Sequence, residues 1–332
     1  MLPVVRNMQA LVGPLAGSLL AFLVFWLIYS TPDADPRLAA PLAHFWVVSL
    51  TSLLAVAVAV VVGVAGARAG DSRVVFLAGG FASMAGFFAL HGLSTPFVLL
   101  GPNVVTPIAS QLAMIAFAAS MVAAAYLRPC EGRGSLARTL AGWVGAIVLF
   151  DVVLMARPDL ARFVPVHLAP LKHAVAVVVI GLLALAGTRF LESYRLARSS
   201  IHLVMLHVVG WVMVAQLIMT LGETFRLSWW LYHLVLLLAV TLMLVTFARQ
   251  LRAGQLGSDL NALLDDDAVR RLAYGLRPEV RALVVATEAK DHYTAGHMQR
   301  VAELAVRVGK RMGLQAEDLR VLAQAGVIHD VG

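Results

Sequence analysis

An all-α membrane protein, in which about eight apolar helices precede a short, more polar helical tail, is the fold class that this sequence predicts. Three observations predict it. The 332 residues are 60% hydrophobic and only 14% charged, with a mean hydropathy of +0.84, whereas a soluble domain averages about 45–50% apolar and about 25% charged residues. Apolar runs of about twenty residues, each able to cross a hydrocarbon core about 30 Å thick, recur from Leu11 to Phe247. From Arg249 onward charged residues return, spaced so that apolar positions still recur at helical intervals.

The first run, Leu11 to Tyr29, follows Arg6 as a secretory signal would, but it is too long for a signal core and reads as a span. Further spans lie near 44–65, 74–94, 107–127, 139–156, 171–190, 201–221 and 229–248. The fifth is short and contains Asp151, so seven spans with one re-entrant segment is the competing count. Gly79, Gly80, Gly86, Gly142 and Gly145 are expected at close helix contacts. Trp46, Trp143, Trp211, Trp229 and Trp230 lie in spans or at their ends, where aromatic rings anchor proteins at the headgroups. Ionisable groups within spans are costly and are functional candidates, which singles out His91, Asp151, His173, His202, His207 and His233. His202 and His207 are five residues apart, about 140° around a helix, and make a poor chelating pair.

Basic loop residues favour the cytoplasm. With the N-terminus inside, the inner segments carry Arg6, then Arg68 and Arg73, then Arg128, Arg133 and Arg138, then Arg189, Arg195 and Arg198, then Arg249 and Arg252. The outer loops carry only Arg37, Arg157, Arg162 and Arg226. Both termini are therefore expected in the cytoplasm. The net charge of +7 belongs to this membrane pattern and is no argument for a nucleic-acid polymer as partner. A single cysteine, Cys130, excludes an intramolecular disulfide framework and a cysteine-rich zinc module.

Three segments follow: a membrane region over 1–248, a linker over 249–278 and a helical tail over 279–332. Gly254 and Gly257 argue against a helix running on from the eighth span. Leu260, Leu263, Leu264, Leu272 and Leu276 form a partial helical stripe, too short for a coiled coil. Pro278 fits the first position of a helix reaching about Lys290, with Val280, Leu283, Val284 and Ala286 as candidate buried residues.

The tail carries the chemistry. His297 opens a helical run whose inner face is expected to be Val301, Leu304, Ala305, Val308 and Met312, stopped by Gly313 as a left-handed glycine. A second run has Glu317 and Asp318 in its first turn and Leu319, Leu322, Ala323, Gly326 and Val327 inward, ending on His329 and Asp330. Two helices of about fifteen residues, each about 20–25 Å long, joined by a short turn, should form an antiparallel hairpin that returns His329 and Asp330 to the level of His297. Two imidazoles and a carboxylate suit Zn, Fe, Mn or Co.

The stretch EAKDHYTAGHMQRVAELA, followed by AGVIHDVG, resembles the start of the HD-GYP family, the HD-domain phosphohydrolases that degrade cyclic di-GMP. The match runs through Glu288, Lys290, Asp291, Tyr293, Thr294, Gly296, His297, Arg300, Val301, Ala302, His329, Asp330 and Gly332, and covers about the last sixth of the chain. The resemblance implies the first helices of an all-α HD domain, with two divalent ions (Fe, Mn or similar) held in part by His297, His329 and Asp330. It also implies Arg300 as a phosphate-facing or supporting residue, a cyclic dinucleotide as substrate and a homodimer. The catalytic assignments are Asp330 and Arg300. Tyr293 stands where some members place a glutamate for a third ion, which implies the two-metal type. The implied location is a bacterial inner membrane. The family pattern continues with a lysine, further histidines, an aspartate and the GYP signature beyond Gly332, so the sequence is expected to be the front of a longer enzyme and to have little phosphodiesterase activity as it stands. Two other readings stay open: a non-catalytic membrane receptor or scaffold, and an HD phosphohydrolase for another nucleotide.

Overall fold

The computed structural model describes residues 3–69, 72–127, 133–264, 280, 282–283, 286–287 and 296–330. Eight helices long and apolar enough to cross a membrane lie among them: α1 (Pro3–Tyr29), α2 (Pro41–Ala69), α3 (Ser72–Leu93), α4 (Val105–Tyr126), α5 (Arg133–Ala156), α6 (Leu171–Ala197), α7 (Ser200–Leu221) and α8 (Leu227–Arg252). The fifth is a full helix of 24 residues, so the eight-span count holds and the re-entrant alternative does not. Shorter helices among the described residues include α9 (Leu256–Leu264), α10 (His297–Arg311) and α11 (Ala316–Ile328). The described residues form no strand beyond two isolated bridges, Arg37 with Arg226 and Pro96 with Leu100, so the all-α class is correct.

Neighbouring helices close a ring in the order α2, α3, α4, α6, α7, α8 and back to α2. Helix α5 leans on α3 from outside, and α1 on α7 and α8. Burial follows this plan: about 70% of the apolar window of α3 is inside the protein, against 11% for α1 and α5. Large apolar side chains such as Leu27, Leu53, Leu149 and Val177 face outward, which water would penalise and lipid does not. Without a hydrophobic drive between helices in lipid, close packing must hold the ring. A methyl on Gly80 would meet Met121 and Ser120 of α4, and one on Gly86 would strike Ile147 of α5. Gly142 and Gly145 face open space instead, because α5 turns other residues to α3. Its Trp143 packs over Gly79 and donates to Ser83 Oγ at 2.9 Å, so this ring lies against α3 rather than at the headgroups.

Helix ends are set locally. Asn103 Oδ1 accepts the Val105 and Thr106 N–H groups at 3.0 and 3.2 Å at the start of α4, and Ser199 Oγ accepts that of Ile201 for α7. The start of α8 is capped from a distant loop: buried Asp35 accepts both the N–H and the hydroxyl of Ser228 at 2.8 Å. Gly254, at φ +69°, ends α8 with paired bonds from Gly254 N–H to Leu251 O and Gln255 N–H to Gln250 O, the glycine stop that the sequence suggested.

Helix α9 does not hang free. Its Leu256, Leu260, Leu263 and Leu264 are buried against the end of the ring, Ser193 Oγ donates to Leu263 O at 3.0 Å, and the Arg73 guanidinium donates to Leu264 O. Leu272, Leu276 and Pro278 lie outside the described residues.

Candidate metal centre

Helices α10 and α11 form the expected antiparallel pair, and small residues let it close. Gly313 takes φ +77°, with Gly313 N–H bonded to Lys310 O and Leu314 N–H to Gly309 O, so the chain reverses at once. Met298, Ala302 and Val306 of α10 are buried, as are Leu319, Ala323, Gly326 and Val327 of α11. Gly326 lies directly on α10: a methyl there would come 2.8 Å from Ala302 Cα. The inner face of α11 is the expected one. That of α10 is not, for Leu304, Val308 and Met312 are 65%, 49% and 73% exposed. The helix packs through Met298, Ala302, Val306 and Gly309, the small Ala302 and Gly309 allowing the closest approach, and the stripe of Leu304, Val308 and Met312 is turned out. Val280 packs on Ala302 and Val327, whereas Leu283 and Ala286 are exposed; Val284, the fourth residue of the expected face, lies outside the described residues.

The hairpin brings His297, His329 and Asp330 together. The two rings are 5.4 Å apart, and Asp330 Oδ2 lies 3.6 Å from His297 Nε2 and 3.3 Å from His329 Nε2. One ligand atom from each falls within 4.8 Å of the others. His329 Nδ1 is 2.8 Å from the Gly326 carbonyl. A carbonyl only accepts, so Nδ1 carries the proton and the Nε2 lone pair is left facing Asp330 and His297, the arrangement usual for a metal-ligating histidine. All three side chains are between about a third and a half exposed, open to a solute. Arg300 is one turn along α10, its Nη1 lying 3.2 Å from where a Gly296 side chain would begin. Gly296 itself takes φ +71° at the helix start. Glu288, Lys290, Asp291, Tyr293, Thr294 and Gly332 lie outside the described residues.

No family model, curated protein or solved structure matches this chain.

The membrane histidines divide. His207 Nδ1 bonds to the Leu203 carbonyl at 2.8 Å and its ring meets Trp211. His202 is fully buried in the same helix, and neither joins a cluster of ligating groups among the described residues. Asp151 faces α3 beside Gly86, and His173 lies in the first turn of α6. His91 and His233, in contrast, converge with His44, a residue that sequence reasoning passed over. His44 stands at the edge of an apolar run and reads as interfacial. The signal that could have found it is level: the start of α2, the end of α3 and the start of α8 share one end of the bundle, so histidines within two turns of those ends lie at one depth. Trp229, expected at the headgroups, is buried and stacks on His44.

Proposed function

We propose that this chain carries the membrane region and the first catalytic helices of a metal-dependent signalling phosphodiesterase that hydrolyses cyclic di-GMP, with the bundle as its signal input. The observation that carries the reading is the convergence of His297 with His329 and Asp330 at one end of the hairpin, with His329 Nε2 bared by the Gly326 carbonyl. Two imidazoles and a carboxylate fit a hard-to-borderline divalent ion such as Fe or Mn. When bound, two such ions would supply Lewis-acid stabilisation of phosphate oxygens and a more acidic water.

The protein's own residues would do the rest. His297 and His329 would hold an ion through a bare ring nitrogen, and Asp330 would bring the negative charge that offsets it. Arg300, one turn along α10, would hold a phosphate oxygen beside that helix's first turn, where backbone N–H groups add positive character. The distribution of arginines supports the N-terminus, α9 and the hairpin on the cytoplasmic side of a bacterial inner membrane, where the substrate would be. Leu196, near the end of α6, packs against Val306, Leu319 and Ala323, a direct contact through which a change in the bundle would reach the hairpin. The exposed stripe of Leu304, Val308 and Met312 supports further helical packing there, from the remainder of such a domain or from a second copy.

The test is turnover of cyclic di-GMP by the natural full-length protein with Mn²⁺ or Fe²⁺ supplied, beside its H329Q and D330N variants. Hydrolysis by the parent that falls at least a hundredfold in either variant is the expected outcome. No hydrolysis with either ion would retire the reading in favour of a membrane receptor, and hydrolysis of another nucleotide alone would move the substrate assignment.

A further inference from the structure

His44, His91 and His233 come from three neighbouring helices of the ring, α2, α3 and α8, and are 1%, 2% and 1% exposed. Their ring centroids are 4.8 Å (His44 to His91), 4.7 Å (His44 to His233) and 6.1 Å (His91 to His233) apart. We infer that these three imidazoles form a binding site for a divalent ion of the zinc class, inside the membrane bundle and separate from the hairpin centre.

Hydrogen bonds around the cluster decide where the lone pairs point. His91 Nδ1 is 2.7 Å from the Thr106 carbonyl, which only accepts, so Nδ1 carries the proton and His91 Nε2 is bare. That nitrogen faces His44 Nε2 at 3.0 Å and the Tyr232 hydroxyl at 3.2 Å. His44 Nδ1 is 2.9 Å from Thr95 Oγ1, which in turn is 3.3 Å from the His91 carbonyl. When Thr95 donates to that carbonyl, its oxygen accepts from His44 Nδ1, and His44 Nε2 is bare as well. When Thr95 donates to His44 instead, His44 Nε2–H bonds to His91. A rotation of the Thr95 hydroxyl, together with a shift of the His44 proton from Nε2 to Nδ1, therefore separates a hydrogen-bonded pair from two convergent ligands, each with the outer hydrogen bond that orients a metal-binding imidazole.

His233 is the observation that points to a ligand. It is buried among Trp229, Trp230 and Tyr232, and neither ring nitrogen has a well-formed hydrogen bond, the Trp230 backbone giving only a weak one. An imidazole held so inside a bundle lacks the partner that buried polar groups ordinarily have. An ion ligated also by His44 and His91 supplies it. Bonds of about 2.0–2.1 Å at tetrahedral angles set nitrogens about 3.3 Å apart. The observed 3.0 Å between His44 and His91 is close to that, and short of the roughly 4 Å that two axial nitrogens keep across a haem iron. Only His233 must draw in, from within 4.8 Å.

The fourth position is open. His44, His91 and Tyr232 form part of the wall of a cavity of about 360 Å³ whose other walls include Asn103, Gln111 and Lys172. Water or a small polar ligand from that cavity completes the coordination, as at zinc sites with three protein ligands. The cavity lies at the end of the bundle where α6 begins, whereas the hairpin packs where α6 ends.

The full chain in detergent, carrying H297A and H329A so that the hairpin centre is lost, is stripped with chelator and titrated with Co²⁺. The expected result is one Co²⁺ per chain with an intense tetrahedral visible spectrum, displaced by Zn²⁺, and a melting temperature that rises with Zn²⁺. Adding H44N or H233N should weaken binding at least tenfold, with gel filtration reporting whether each variant folds. T95V spares all three ligands while removing the hydroxyl that partners His44 Nδ1 and the His91 carbonyl, and should weaken binding about 10- to 100-fold. No Co²⁺ spectrum and no ion above that of protein-free micelles would overturn the site and leave the cluster a hydrogen-bonded structural network. Binding that H44N, H233N and T95V all leave unchanged would overturn it equally.

Discussion

At Gly326 a helix that would ordinarily gain from alanine instead needs bare backbone. Alanine in a helix interior is worth about 1 kcal/mol over glycine, but here the added methyl meets Ala302 Cα at 2.8 Å and Ala302 Cβ at 3.1 Å. Backbone yields less readily than a side-chain tip, and overpacking costs about 1–3 kcal/mol, so the clash wins. We predict that G326A destabilises the hairpin by up to about 2 kcal/mol net and lowers Co²⁺ affinity at His297, His329 and Asp330, because the carbonyl that orients His329 belongs to the same residue. A Co²⁺ titration in an H44N/H233N background checks it, and unchanged affinity would show that the α10–α11 spacing does not set the site. That His297, His329 and Asp330 would meet at one end of the hairpin was legible from the lengths of the two helical runs and the short turn between them. The proton that His329 holds on Nδ1 was not, since it depends on a carbonyl that only the folded turn presents.

Helix α9 was legible as a break after α8 and a leucine stripe, and Gly254 ends the preceding helix as its backbone freedom suggests, whereas Gly257 lies within α9. Its docking was not legible: the same leucines would serve a coiled coil, a second copy or the ring, and only the carbonyl bonds from Ser193 and Arg73 show which. Inserting one residue after Ala262 turns whatever follows by about 100° and carries Leu263 and Leu264 off the surface that buries them. The expected outcome is faster amide hydrogen exchange over 256–264 and loss of any dependence of the proposed phosphodiesterase activity on the bundle. Exchange and output that match the parent would exclude α9 as a coupling element. Helix α10 teaches the converse. Its strongest apolar stripe faces out, because a helix pair approaches through its smallest residues and a periodicity count weighs size the other way.

Across the whole molecule, the ring puts the loops that follow α1, α3, α5 and α7 at one end, where Asp35 ties two of them together through Ser228. Helix α9 and the hairpin are at the other. Of the arginines counted for orientation, Arg73 and Arg189 are buried, Arg73 bonded to Leu264 and Arg189 paired with Glu192 at 3.1 Å, so part of that bias serves packing. The proposed orientation makes a direct prediction. In a C130S background, A39C in the exposed α1–α2 loop should react with a membrane-impermeant maleimide on intact cells, and Q315C between α10 and α11 only after lysis. The reverse pattern would invert the topology and place the hairpin away from a cytoplasmic substrate.

The sequence by itself determined the helical class, the number and order of spans, the glycine stops and the histidines and carboxylate of the hairpin, because each depends on local composition or on a spacing of a few residues. Helix neighbours are another matter. In lipid the outward and inward faces are both apolar, so hydrophobicity no longer marks the inside and the ring order is invisible in the pattern. Only the tertiary structure decided that α2, α3 and α8 adjoin, and therefore that His44, His91 and His233, separated by 47 and 142 positions along the chain, meet at one depth with a ring nitrogen of each within 4.8 Å of the others.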